Sequence, residues 1–301
     1  DNPRTQARIL AALDGLDLEI TTGESVTSVV AVLRGRAKTA GERPIVLLRG
    51  DMDGLPVTEA TGQPFASTTG TMHACGHDLH VAGLVGAARI LHELRDELPG
   101  DVVFMFQPGE EGPGGAAPMI AEGVLDAAGR RADAAFGLHV ISAQAPLGVW
   151  TGRAGVLMAA ADQCYIAVRG VGGHGSQPHR SKDPVPVACE IVLALQAMVT
   201  RQFDAFDPVV VTAGRIVGGT KENIIPDDAH IDLTVRTFSK TNHDQVPERI
   251  ERLARGIAEA HGLSAEVNYV PGYPVTVNDD AAYALMTDTV TDLFGAERYV
   301  E

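Results

Sequence analysis

The run Met72-His73-Ala74-Cys75-Gly76-His77-Asp78-Leu79-His80 brings one thiol and three imidazoles together over a few residues. In an extended segment, residues two apart point the same way, so Cys75 and His77 share a face. A thiolate and an imidazole aimed at one point suit zinc or a similar divalent ion. An amphipathic pattern begins near Asp78, and the dipole at the N-terminus of that helix is expected to favour the thiolate of Cys75. A single Cys or His is usually a small buried hydrophobe or a satisfied polar residue. This run stands out because carboxylates and another histidine recur at the ends of later apolar runs.

The first of these ends follows Pro44–Leu48, a fully apolar run of the kind found in a buried parallel strand. It leads into Arg49-Gly50-Asp51-Met52-Asp53, where Asp51 and Asp53 are again two apart. Asp101–Phe106 is the next such strand and runs into Gln107-Pro108-Gly109-Glu110-Glu111. Ala134–Leu138 is a third and ends in His139. Open α/β sheets place their sites at the carboxyl ends of strands. In the Glu110-Glu111 pair, one carboxylate can bind a metal while its neighbour serves as general base and then general acid. Asp53 would accept the free ring N–H of a ligand histidine and so fix its tautomer. His139 would be a further ligand.

The elements that must position these residues can be read from periodicity. Leu84, Ala88, Leu91, Leu94 and Leu98 recur at helical spacing from Asp78, and Pro99-Gly100 stops the pattern. A shorter helix is expected up to about Leu125. Strands and helices thus alternate through residue 140, which implies α/β architecture: a mostly parallel sheet with helices on both faces. Near Leu157 the texture changes. Gln163–Val168 alternates polar and apolar, and Asp183–Phe203 is a helix pattern with Asp183 as N-cap and Pro184 in the first turn. Strands at Val209–Val217 and His230–Thr237, a helix at His243–His261 and a strand at Ala265–Tyr269 complete an α+β, ferredoxin-like order. Asp279–Phe294 resembles the first domain's helices. The expected organisation is therefore a catalytic domain over 1–156 and 271–301, with a lid domain over 157–270 inserted into it.

Composition narrows the function classes. The chain has 301 residues, 45% apolar and 21% charged, and a formal net charge of −15. That charge argues against nucleic acid as a partner, because phosphate binding needs clustered Lys and Arg. No apolar run approaches the roughly 18 residues that span a bilayer, so no membrane association is expected. No basic n-region with an apolar h-region opens the chain, so a secretory signal is not expected. Three widely spaced cysteines, Cys75, Cys164 and Cys189, are no disulfide framework and fit a reducing, cytoplasmic compartment. Gly170-Val171-Gly172-Gly173-His174-Gly175 matches the dinucleotide fingerprint letter for letter, but Pro178 blocks the helix that such a site requires.

Taken together, Arg-Gly-Asp51-Met-Asp53-Gly-Leu-Pro, Met-His-Ala-Cys75-Gly-His77-Asp, Gln-Pro-Gly-Glu110-Glu111 and Gly-Leu-His139-Val resemble the amidohydrolase branch of the M20 metallopeptidases. That branch holds the N-acyl-amino-acid (hippurate-type) and auxin-conjugate hydrolases. Gly-Gly-His174-Gly, Gly-Gly-Thr-Lys-Glu-Asn223-Ile-Ile-Pro-Asp and Thr-Val-Arg236-Thr-Phe resemble its lid and dimerisation domain. The resemblance implies two divalent ions per site, with Cys75 bridging and His77, Glu111 and His139 as ligands. It also implies Glu110 as the base and Asp53 as the supporting carboxylate. Cysteine favours softer ions such as zinc, with manganese, cobalt or nickel as alternatives. His174 would reach a neighbour's active site in a homodimer to stabilise the oxyanion, while Asn223 and Arg236 hold a small N-acyl amino acid or amide substrate. The family's C-terminal Ser-Glu-Asp-Phe segment and final ligand histidine have no counterpart here, so the catalytic domain is expected to be truncated at both ends. Two readings stay open: metal-dependent hydrolysis of N-acyl amino acids, and a non-catalytic binding member of the same fold.

Overall fold

The computed structural model describes residues 2–112, 114–141 and 145–300. The chain divides into two compact units, Asp1–Leu147 and Gly148–Glu301.

The first unit is built on β1 (Glu19–Thr22), β2 (Val29–Leu33), β3 (Ile45–Asp51), β4 (Asp101–Gln107) and β5 (Ala134–Gly137), in the order β1-β2-β4-β3-β5. β3 runs parallel to both β4 and β5. β2 is antiparallel to β4, and β1 to β2. The antiparallel edge has a local cause. Only a short segment joins β1 to β2, too short for the crossover that a parallel pair needs.

Every residue of β2 and β4 is buried, as expected for strands covered on both faces. Helices α1 (Pro3–Leu13) and α2 (His77–Glu93) cover one face, where Ile9, Leu13, Leu84 and Ala88 pack with Phe104 and Phe106. Helix α3 (Ala116–Ala121) and the 3₁₀ turn Val124–Asp126 cover the other, where Met119 and Val124 pack with Val103, Met105 and Leu47. α2 ends earlier than its apolar pattern suggests. Arg95 begins a 3₁₀ turn there, is buried, and donates from Nε to the Arg34 carbonyl at 2.8 Å.

Phe104→Ala is expected to destabilise this unit by about 3–5 kcal/mol, because the ring is fully buried and its loss leaves a cavity. Urea denaturation checks this through the shift of the unfolding midpoint. The start of β3 is tethered by Asp133, whose Oδ2 accepts from the Ile45 N–H at 2.7 Å while Arg130 grips the carboxylate. The Arg130 hydrogen bonds, then the Ile45 N–H, hold the Asp133 carboxyl down at about 2. A carboxyl depressed by folding stabilises fully above its unfolded value of 3.8, and that contribution fades as pH falls through about 2. Asp133→Asn should therefore lower Tm at neutral pH, and the gap to the unaltered chain should close in strong acid. An equal gap at both pH values would contradict this.

In the second unit, β8 (Ala161–Arg169), α4 (Pro184–Gln202), β10 (Val209–Gly218), β12 (Asp228–Thr237), α5 (Lys240–Ala260) and β13 (Ser264–Tyr273) follow a βαββαβ order. The sheet order is β10-β12-β8-β13 and every pairing is antiparallel, which is the ferredoxin-like arrangement. Both helices pack on one face, with Ile191 and Leu195 of α4 and Val246 and Ile250 of α5 against Ile166, Ile231 and Val235. Asp183 caps α4 by accepting from the Val185 N–H. The sequence offered no span long and apolar enough for a bilayer, yet α4 reaches that length and composition and is the one such helix among the described residues. Its inner face is taken up by the core of this unit.

A two-strand ribbon pairs β9 (Gly173–His174) with β11 (Ile224–Ile225). The glycine-rich stretch thus leads into a strand, then a 3₁₀ turn at Pro178–Arg180, with no helix at its third glycine. Four further short strands and a helix belong to the same unit. β6 (Trp150–Thr151) pairs with β15 (Tyr299–Val300), β7 (Gly155–Met158) pairs with β14 (Thr276–Asn278), and α6 (Asp280–Phe294) lies between β14 and β15 in sequence.

Candidate metal centre

The carboxyl ends of the three parallel strands and the start of α2 meet at one place. β3 delivers Asp51 as its last residue and Asp53 just beyond, with the Met52 N–H bound to the Gln107 carbonyl at 2.8 Å. β4 ends at Gln107 and turns into the segment bearing Glu110 and Glu111. That turn is closed by the Gly109 carbonyl, which accepts from the N–H groups of Gly114 and Gly115. A side chain at Gly115 would stand 1.7 Å from the Pro108 carbonyl oxygen, so only glycine fits there. β5 ends at Gly137, and His139 follows.

Cys75 and His77 flank Gly76, which has φ +79° and would place a Cβ 2.3 Å from Val140 Cγ2. Glycine here answers two demands at once: a left-handed residue at the head of α2, and close approach of the His139 segment.

The imidazole of His77 is the hub. It is fully buried. Its Nδ1 lies 3.4 Å from Asp53 Oδ1, and its Nε2 lies 3.6 Å from Asp51 Oδ2, 3.9 Å from Glu111 Oε1 and 4.0 Å from Glu110 Oε2. Cys75 Sγ stands 3.2 Å from His139 Nε2. The other His139 nitrogen, Nδ1, donates to the Val140 carbonyl at 2.7 Å, so the Nε2 lone pair faces the sulfur. Three sets of donor atoms, each lying within 4.8 Å of one another, share His77: Cys75, His77 and His139; His77, Glu110 and Glu111; Asp51, His77 and His80. Asp53 also accepts from the Glu111 N–H at 3.0 Å through Oδ2, and this ties the two segments together.

These residues fit a divalent cation. Both ring nitrogens of His77 and Asp53 Oδ1 are buried without a hydrogen-bond partner. Such atoms are costly unless something of opposite character faces them. The donors are a sulfur, imidazoles and carboxylates, the set that zinc and neighbouring transition metals take. The local charge agrees. Burial, then Glu111, Glu110 and Asp51, push the Cys75 thiol up to about 11. Burial, then Glu111 and Asp51, also raise the Glu110 carboxyl. In the metal-free chain the tendency of the helix terminus to favour the Cys75 thiolate is opposed first by burial and then by the surrounding carboxylates.

The other predicted residues lie in the second unit. His174 is exposed, with Nδ1 bonded to Ser176 Oγ at 2.9 Å. Asn223 precedes Ile224, the residue paired with His174, and its carbonyl accepts from the Gly175 N–H at 2.9 Å. Arg236 stands on β12, with its guanidinium bonded to Thr234 Oγ1 at 2.6 Å and the Val235 carbonyl at 3.0 Å.

Sequence reasoning gave no role to three residues that the structure puts behind the cluster. His80 Nδ1 meets Asp51 Oδ1 at 2.5 Å. Arg49 Nη1 lies 2.7 Å from Asp51 Oδ2 as an ion pair, and its Nε donates to Gln107 Oε1 at 2.9 Å. Burial pushes the Asp51 carboxyl up, but the His80 hydrogen bond and the Arg49 charge outweigh it and hold Asp51 below the usual range. Spacing could have found two of them. His80 is one turn beyond His77 on a helix, and Arg49 is two before Asp51 on a strand, so each shares a face with a flagged residue.

The chain thus joins a parallel-sheet α/β unit, with a donor cluster at its strand ends, to a ferredoxin-like unit. The chain belongs to peptidase family M20/M25/M40, whose pattern matches residues 47–301. It is similar to the N-acetylcysteine deacetylase of Bacillus subtilis (strain 168), at 41% identity over 254 residues that cover 84% of this chain and 64% of that protein. It is also similar to IAA-amino acid hydrolase ILR1-like 2 of Arabidopsis thaliana, at 39% identity over 302 residues that cover 99% of this chain and 66% of that protein. The chain therefore spans just under two thirds of these relatives. Among solved structures it resembles the Bacillus subtilis YXEP protein, a dinuclear metal-binding peptidase of the M20 family, with TM-score 0.82 and 34% identity over 100% of this chain and 76% of that one.

Proposed function

We propose that this chain is the greater part of a metal-dependent amidohydrolase that cleaves the amide bond of N-acyl amino acids or related small amide conjugates. One observation carries the proposal: a buried imidazole with no hydrogen bond at either nitrogen, shared by three donor sets at the carboxyl ends of parallel strands. The relatives' names, a deacetylase and an amino-acid conjugate hydrolase, favour a catalytic role over a non-catalytic binding one.

In this proposal Cys75, His77, Glu111 and His139 would hold two divalent ions of the zinc, manganese, cobalt or nickel class. Bound divalent ions supply Lewis acidity at the scissile carbonyl and bring the pKa of water down to roughly 7. Glu110 takes a proton from the attacking water and returns it to the leaving amine nitrogen, so that one water yields a carboxylic acid and an amine. Its raised pKa suits a group that must both accept and give back a proton. Asp53 orients His77 through Nδ1 and the Glu111 segment through its N–H. Residues 157–270 serve as a lid and dimerisation domain and pair two copies. From a partner copy, His174 meets the developing oxyanion. Asn223 and Arg236 take the substrate's backbone and carboxylate.

The test is metal content per chain together with hydrolysis of a panel of N-acetyl, N-benzoyl and indole-acetyl amino acids. Metal binding with turnover of at least one substrate supports the proposal, and a metal-free, inert preparation sinks it. His174→Ala is expected to lower turnover by roughly 10²–10³-fold with metal content unchanged, the cost of one oxyanion donor.

A further inference from the structure

We propose that His80 is a positioning residue that holds the ligand His139 in place through the Val140 peptide, using Asp51 as its own anchor. This rests on the metal reading above. The Val140 N–H donates to His80 Nε2 at 2.9 Å. A peptide N–H can only donate, so Nε2 carries the lone pair and Nδ1 carries the proton that goes to Asp51 Oδ1. Asp51 and His80 are both buried, at 1% and 8% exposure, so water does not compete for either link.

The same Val140 residue takes the His139 Nδ1 proton on its carbonyl. Its peptide groups therefore connect the two rings: His80 fixes the N–H, and the carbonyl fixes His139 with Nε2 toward Cys75. The His80 and His139 rings also meet edge to face, with centroids 4.8 Å apart. Behind Asp51, Arg49 and Gln107 complete a chain of contacts that runs from β4 through β3 and α2 to the segment after β5.

Asp51, His77 and His80 also lie close enough together to be a ligand set. The hydrogen bonds argue against that use, because both His80 nitrogens are already committed and neither lone pair faces the cluster.

The test uses two amide replacements that each keep one link. His80→Asn can donate to Asp51 but offers nothing at the Nε2 position. His80→Gln places an oxygen where Nε2 stood, and so keeps the Val140 contact. Cobalt(II) affinity is measured by chelator competition for each variant, alone and with His139→Ala, and thermal unfolding of the metal-free chains reports on the fold. His80→Asn is expected to weaken cobalt binding about 10–100-fold, and His80→Gln to restore most of it. In the His139→Ala background the two should be indistinguishable, because the path from His80 then ends on a missing ligand.

The proposal is overturned if His80→Asn binds cobalt as the unaltered chain does, if Asn and Gln are equally weak, or if the loss persists without His139. Should the Asn variant fail to fold, His80→Gln decides: retained affinity supports the proposal, and a loss equal to that of His139→Ala overturns it. An unaltered chain that takes no cobalt would instead sink the metal reading itself, and this inference with it.

Discussion

Glu110→Gln is expected to keep the fold and the metal content of this chain while lowering turnover by roughly 10²–10⁴-fold, the range for loss of a general base. The substitution is close to isosteric and keeps a hydrogen-bonding end, so substrate affinity should change little. What disappears is the ability to take a proton from water and hand it on. The side chain is half-buried beside Glu111, and its Oε2 lies 4.0 Å from His77 Nε2, close to the cluster without belonging to the sulfur-bearing donor set. Steady-state kinetics on an N-acyl amino acid, paired with metal analysis, checks the prediction. Turnover unchanged at full metal content would remove Glu110 from the proposed chemistry, whereas joint loss of metal and turnover would make it a ligand.

His77→Ala should have the largest effect on metal binding. His77 is common to all three donor sets, so its removal damages each of them. The loss of affinity should exceed the roughly 10–100-fold typical of residues behind the ligands. The metal-free chain should also change. Asp51 and Asp53 each face a nitrogen of this ring, and truncation leaves two buried acidic groups across a cavity. Chelator titration reads the affinity, and an unchanged metal stoichiometry would end the assignment of His77 as the hub.

Much of the candidate site was legible in the residues themselves. Cys75, His77, Glu110, Glu111 and His139 sit in short motifs at the ends of apolar runs, and parallel strands deliver such ends to one place. The alternating texture after Leu157 likewise foretold the antiparallel βαββαβ sheet, whose strands β8 and β12 alternate strictly between the core and the open face.

What stayed hidden depends on backbone placement. The contact of His80 with Val140 joins residues 60 apart through a main-chain N–H, which carries no side-chain signature. The upward push on the Cys75 thiol stayed hidden because local helix charge can be read from sequence, while burial and the approach of distant carboxylates cannot. The antiparallel edge formed by β1 and β2 came from a connection length, a weaker signal than hydrophobic period.

The close approach of Gly76 to Val140 couples two loops that are remote in sequence. A side chain at position 76 would force the Val140 side chain to move, since its Cβ would stand 2.3 Å from Cγ2. Trimming Val140 to glycine would clear the overlap but leave any non-glycine residue at 76 in a left-handed conformation. The histidine-bearing loop can therefore be varied at residue 140 while residue 76 stays glycine, whereas a library that varies residue 76 meets the left-handed backbone whatever stands at 140.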